Sequence, residues 1–414
     1  MSAESSNAAA PSASSAAISA ISAAKQRQLG LSTNVLAIGS SWAAIPLSSS
    51  LCLLQLPDMA LFNASAGSAP TGSSNSNMLT QVSVSQVSVP ATCVGFDREG
   101  KRMLTGGDDK IVRLWDALPP SAAPIRQWTH GKKIGCVAFS PDGNTVLFAD
   151  LFGEVYTVSL LAGGGAEPTI ALGHLSPISH MAFHPSAPSL LTADREGHVR
   201  SSAWPHAFVI DCYYLEHTSP LVLMLPLAAA PLILTCATDG KAVCAWTAHT
   251  GELLRKHEAD ELLSMPPPPQ GGADASSSGA AEPAAVACGC EVEAQGLVAL
   301  GTRGRGFIHF ATASPGGLQP HPELAVALPL GAPAVVAMSY SAASATLCAL
   351  LAGGEGVALL PAKGPSEGGR GFGPPALMRF NAPEPERLGL KAPLAADGQE
   401  AKGAKRAKTD GDEE

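Results

Sequence analysis

Apolar residues in this chain come in short alternating runs closed by polar turns, and the group of runs returns about every 43 residues. One unit reads as a strand over 92–96, the turn Asp97-Arg98-Glu99-Gly100, a strand over 103–105, the turn Gly107-Asp108-Asp109-Lys110 and a strand over 111–115. The same order recurs over 134–158, 178–202 and 221–246, and more weakly over 286–310 and 335–360. Upstream, 35–55 has the pattern of a partial first unit, with 81–89 leading into the second. Period-2 alternation bounded by Gly, Asp and Pro marks strands. A small sheet of such strands buries both faces only against its neighbours, so a repeat of this length predicts a β-propeller. We expect seven blades over 34–362, with the chain ends meeting in one blade to latch the ring.

A His and an Asp return in step with the strands. His130, His174 and His217 recur at intervals of 44 and 43, and Asp150, Asp194 and Asp239 follow them by 20 to 22 residues. A catalytic dyad is needed once, whereas this couple appears in three consecutive units. It therefore reads as a structural pair in which a buried imidazole and a turn carboxylate satisfy each other. Leu114-Trp115-Asp116 and Gly173-His174 carry the two signatures of the WD40 repeat, and Trp246 stands where Trp115 does. The fold class is all-β: a seven-bladed WD40 β-propeller with disordered N- and C-terminal tails.

Composition changes this picture little. The segments 1–33, 63–78 and 266–283 are rich in Ser, Ala, Gly, Asn or Pro, and 363–414 in Gly and Pro. They lack the apolar content that ordering requires and are expected to be disordered tails and insertions. The last of them carries Lys402, Lys405, Arg406 and Lys408, a cluster that suits a nuclear import signal or a solubilising tail. The nucleus is the expected compartment. A net charge of −9 argues against a free-standing nucleic-acid binder, since phosphate contacts need clustered Lys and Arg. Nine Cys without a C-x-x-C pair suit a reducing compartment and no structural metal. The first 33 residues do not read as a secretory signal, and there is no run of 18 apolar residues, so no membrane partner is expected.

No enzyme chemistry emerges. The Gly-rich segments 301–306 and 368–373 lack the strand–loop–helix context of a phosphate cradle. There is no nucleophile elbow and no H-E-x-x-H motif. The inner strands are almost wholly apolar or small, which leaves a funnel-centred enzyme without titratable groups. No cofactor, metal or catalytic residue is expected, and a general WD40 adaptor, such as a ubiquitin-ligase substrate receptor, is the simplest alternative role.

The stretch 132–254 is more specific. Ala149-Asp-Leu-Phe-Gly-Glu-Val-Tyr156 and Thr192-Ala-Asp-Arg-Glu-Gly-His-Val-Arg200 stand in consecutive units, with Lys132-Lys-Ile-Gly-Cys-Val-Ala-Phe139 and Leu172-Gly-His-Leu-Ser176 beside them. Together they resemble the WD-repeat, non-catalytic subunit of the eukaryotic tRNA (guanine-N7)-methyltransferase. That resemblance implies a heterodimer with a catalytic, S-adenosylmethionine-binding subunit that methylates a guanine in the tRNA variable loop. The propeller would stabilise that subunit and meet tRNA through the complex. It also implies that Arg195 is the main ion-pairing residue, with Glu196 and Arg200 beside it and Lys132 and Lys133 as further contacts. An Arg on a rigid turn presents its planar fork bidentately to a carboxylate.

Overall fold

In the computed structural model the alternating runs form antiparallel meanders, each strand pairing with the next in sequence. The structure describes residues 36–38, 42–47, 50–55, 84–87, 90–116, 123–161, 166–264, 285–303, 306–328, 334–342, 344–351, 357–362, 371–372 and 375–378. All of them lie in one compact unit, Met1–Asn381. The expected tail 1–33, both insertions and the basic cluster lie outside the described residues.

Seven sheets follow one another along the chain. Sheet 2 consists of Cys93–Phe96, Arg102–Gly106, Ile111–Asp116 and Arg126–Thr129. Sheet 3 is Ile134–Phe139, Thr145–Asp150, Glu154–Ser159 and Thr169–Gly173. Sheet 4 is Ile178–Phe183, Ser189–Asp194, Val199–Ala203 and Ile210–Tyr214, and sheet 5 is Leu221–Pro226, Leu232–Ala237, Ala242–Thr247 and Leu253–Glu258. Sheets 6 and 7 start from the inner strands Ala285–Val292 and Val335–Ser341. Sheet 1 is thinner, with only Ala37–Ile38 as its inner strand. Six blades are thus complete where the repeat predicts seven.

Neighbouring inner strands touch in order, and Ala37–Ile38 touches both Cys93–Phe96 and Val335–Ser341. The core lies in the seams between sheets. Leu104, Val112 and Leu114 of sheet 2 pack with Val137, Val146 and Phe148 of sheet 3. Cys136, Leu147 and Val155 of sheet 3 pack with Ile178, Met181 and Leu190 of sheet 4. One cluster joins Leu36, Ala43 and Ile45 of sheet 1 to Leu350, Val357 and Leu359 of sheet 7. Each fully buried Leu, Ile or Val contributes about 1.5–3 kcal/mol, so a seam of several such side chains is what holds two sheets together.

Two expectations are corrected. Among the described residues no latch is seen: sheet 1 holds strands from 37 to 87, and sheet 7 strands from 335 to 378. The outer strand Ala376–Met378 of sheet 7 also lies beyond residue 362, where the repeat was expected to stop.

Candidate partner-binding site

The three His–Asp couples separate into two kinds. His130 Nε2 lies 3.2 Å from Asp150 Oδ2. Asp150 is fully buried, and its other oxygen accepts the N–H groups of Phe152 at 2.8 Å and Glu154 at 3.1 Å. His174 Nδ1 lies 3.4 Å from Asp194 Oδ2, while its Nε2 meets the Thr192 hydroxyl at 2.8 Å. Asp194 Oδ1 accepts the N–H groups of Glu196 and His198 at 2.9 and 3.1 Å. Burial alone would raise the Asp194 pKa, but the hydrogen bonds from His174 and His198 outweigh it and hold the carboxyl at about 2. These two couples are internal fasteners in separate sheets. The third is not formed. His217 Nε2 bonds to Thr235 Oγ1 at 2.7 Å, and Asp239 is exposed, accepting the Lys241 N–H at 3.2 Å. Asp239 follows its His by two residues more than the other two, which carries it past the imidazole.

The two fastened turns flank one connector, Gly173-His174-Leu175-Ser176-Pro177, between sheets 3 and 4. His174 N–H donates to the Gly153 carbonyl at 2.8 Å, and Arg195 N–H donates to the Pro177 carbonyl at 3.0 Å. Gly153 has φ +93°, and a Cβ there would lie 2.6 Å from the Ser176 carbonyl, so only glycine permits this approach. The seam therefore brings the Asp150–Gly153 turn, the connector and the Asp194–Gly197 turn into contact.

The predicted residues fall on both sides of it. Arg195 and Glu196 are exposed at the tip of their turn, and Arg195 forms no ion pair among the described residues. Arg200 is placed differently from the other two: it is buried, 8% exposed, and Nη1 donates to the Gly173 carbonyl at 3.2 Å. Its Nε and Nη2 have no hydrogen-bond partner. A buried guanidinium with unanswered donors is costly to the fold.

Lys132 and Lys133 are already engaged. Lys132 Nζ lies 2.9 Å from Glu154 and 3.5 Å from Asp150. The Glu154 hydrogen bond raises the Lys132 pKa, and that bond with a second from Tyr156 lowers that of Glu154. Burial and the Glu154 bond push the Tyr156 hydroxyl up to about 12. Lys133 reaches across to Asp108 of sheet 2 at 3.0 Å. Neither ammonium is unpaired, as a phosphate contact would prefer.

Sequence reasoning passed over Phe152 and Leu175. Both are strongly exposed, Phe152 in the turn Asp150-Leu151-Phe152-Gly153 and Leu175 in the connector. The signal was present: two large apolar residues stand at turn positions of adjoining units. Among the described residues no group of three or more His, Cys, Asp and Glu could hold a metal ion, and no helix is long and apolar enough to cross a membrane.

Residues 165–275, which include all of sheet 4, match the family described as tRNA methyltransferase TRM82 WD40 domain. The similarity is to a non-catalytic subunit. Residues 81–116 match the WD domain, G-beta repeat. The non-catalytic subunit wdr4 of Dictyostelium discoideum tRNA (guanine-N(7)-)-methyltransferase is 25% identical over 190 residues, covering 40% of each chain. The mouse subunit WDR4 is 28% identical over 162 residues, covering 39% of this chain and 38% of its own. The subunit TRM82 of Debaryomyces hansenii is 30% identical over 145 residues, covering 34% of this chain and 32% of its own. The chain thus spans about two fifths or less of the length of these relatives. In fold, it superposes on a chain of a mitotic checkpoint complex crystal structure with a TM-score of 0.56 at 14% identity, covering 78% of this chain and 84% of that one. This likeness shows the fold alone.

Proposed function

We propose that this chain is the non-catalytic scaffold subunit of a tRNA N7-guanine methyltransferase. It binds and stabilises the catalytic subunit as a heterodimer, and it meets tRNA through that complex. The observation that carries the reading is an overlap: the segment matching the TRM82 WD40 domain contains the turn bearing Arg195 and the strand bearing Arg200. Arg195 is exposed and free to pair, and buried Arg200 braces the connector beside it through Gly173. The Arg195 guanidinium suits a carboxylate on a partner protein.

In this reading the thin first sheet acts as a seventh blade, since its inner strand fills the place between sheets 7 and 2. The compartment is the nucleus, a reading supported only by the basic residues Lys402 to Lys408 and tested by attaching 399–414 to a fluorescent reporter.

Co-expression with the catalytic subunit of the same organism tests the function. Co-purification, with N7-methylation of a variable-loop guanine restored only in the mixture, is the expected result. Recovery of a ligase scaffold instead, or methylation unaffected by this chain, would overturn it.

A further inference from the structure

Two large apolar side chains on the seam lie outside the hydrophobic core. Phe152 is 65% exposed and Leu175 is fully exposed, each at the tip of a turn. The turns that carry them are tied together by backbone, through the His174 N–H to Gly153 carbonyl bond and the close approach of Gly153 to Ser176. Phe152 is further fixed at its own N–H by Asp150, and the Lys132 ammonium sits 4.4 Å from its ring centroid. An aromatic ring ordered in this way, with one side capped by a cation, loses little freedom on binding.

Charge indicates what would cover it. Lys132 and Lys133 are neutralised by Glu154 and Asp108, so the seam offers no lattice of free cations for an RNA backbone. The available positive group is Arg195, tied to the connector at Pro177; Arg200 is buried and tied to the connector at Gly173. Apolar anchors beside an Arg are the composition of a protein–protein hot spot.

We infer that Phe152 and Leu175 are the apolar anchors of a docking site on the seam between sheets 3 and 4, receiving an apolar side chain that a carboxylate flanks on the partner protein. The occupant is a segment of the catalytic subunit, and the inference rests on the function proposed above. Arg195 takes the carboxylate, Arg200 holds the connector beside it at Gly173, and the two anchors exclude water from that contact. Lys132 is a positioning residue that acts through Phe152.

The test measures binding of the full chain to the purified catalytic subunit for the wild type, Phe152→Ala, Leu175→Ser, the double variant and Arg195→Glu. Far-UV circular dichroism and thermal melts accompany each. We expect unchanged melting for all four variants, since neither anchor is in the core, and a loss of affinity of about tenfold or more in the double variant. Amides of 150–153 and 173–177 should gain hydrogen-exchange protection in the complex. Wild-type affinity in the double variant, with Arg195→Glu still disrupting binding, would sink the anchors and leave the proposed function standing. Failure of the wild-type chain to bind the subunit would sink both. Loss of binding to a tRNA probe by the isolated double variant, with the complex intact, would reassign the platform to RNA and overturn the inference.

Discussion

Thr235 Oγ1 lies 2.7 Å from His217 Nε2 and accepts the Trp246 Nε1–H at 2.8 Å, joining two strands of sheet 5 to the connector that precedes it. The same network appears in other partial forms. Sheet 2 has Trp115 donating to Thr105, sheet 3 has His130 with Asp150, and sheet 4 has Asp194, His174 and Thr192. Each sheet keeps the part whose groups it has buried, because an unpaired buried hydroxyl, imidazole or carboxylate costs more than the pair contributes.

Removing Asp194 and removing Asp239 should therefore differ sharply. Asp194→Ala strands four donors and is expected to destabilise the chain by about 2–4 kcal/mol. Asp239→Ala loses only an exposed turn contact and should cost less than about 0.5 kcal/mol. Urea denaturation midpoints of the two variants check this, and equal shifts would show that register alone does not decide the pairing.

Acid should act on the same group. The Asp194 carboxyl titrates at about 2 in the fold against an ordinary value of 3.8. Its stabilisation is present above pH 3.8 and is lost as pH falls towards 2. The contribution is on the order of 2 kcal/mol. Comparing wild type with Asp194→Asn in urea between pH 6 and pH 2.5 should show the gap narrowing as pH drops.

Arg200→Met gives an unusual pairing of effects. It removes two buried donors that have no acceptor, so the isolated chain should be unchanged or slightly more stable. The same change should weaken the complex with the catalytic subunit, because it also removes the Nη1 bond that holds the connector at Gly173 beside Arg195. Thermal melts and binding measurements on one preparation separate the two outcomes. Lower stability with full binding would assign Arg200 to the fold.

A second pH effect is expected between sheets 5 and 6. Buried His257 accepts the Leu318 N–H at Nε2 over 2.8 Å. Burial, helped by Arg255 and opposed by Glu261, lowers its pKa below the ordinary 6.5. The neutral ring makes this bond, so its stabilisation is complete above pH 6.5 and declines as pH falls through the lower folded value. Exchange of the Leu318 amide should speed up relative to its neighbours over that range, and His257→Phe should abolish the pH dependence.

Legibility of the sequence followed burial. Inner and middle strands such as Ile134–Phe139 and Thr145–Asp150 are packed on both faces, so their apolar runs stood out. The outer strands Ile210–Tyr214 and Leu253–Glu258 were not foreseen, because most of their side chains face solvent and their sequences follow no period. At the site, the turn carrying Arg195 was legible from its motif. The burial of Arg200 was not, since it depends on where the neighbouring sheet places Gly173. Spacing foretold the first two His–Asp couples and misled on the third, where two additional residues moved Asp239 outward.

The closure between the first and last sheets sets where the described propeller parts most easily. Among the described residues sheets 1 and 7 share no strand and meet through side chains such as Ile45 and Leu359. Under pulling or dilute denaturant the toroid should split there first, as a cut washer does, while the stacked blades carrying Arg195 keep their shape.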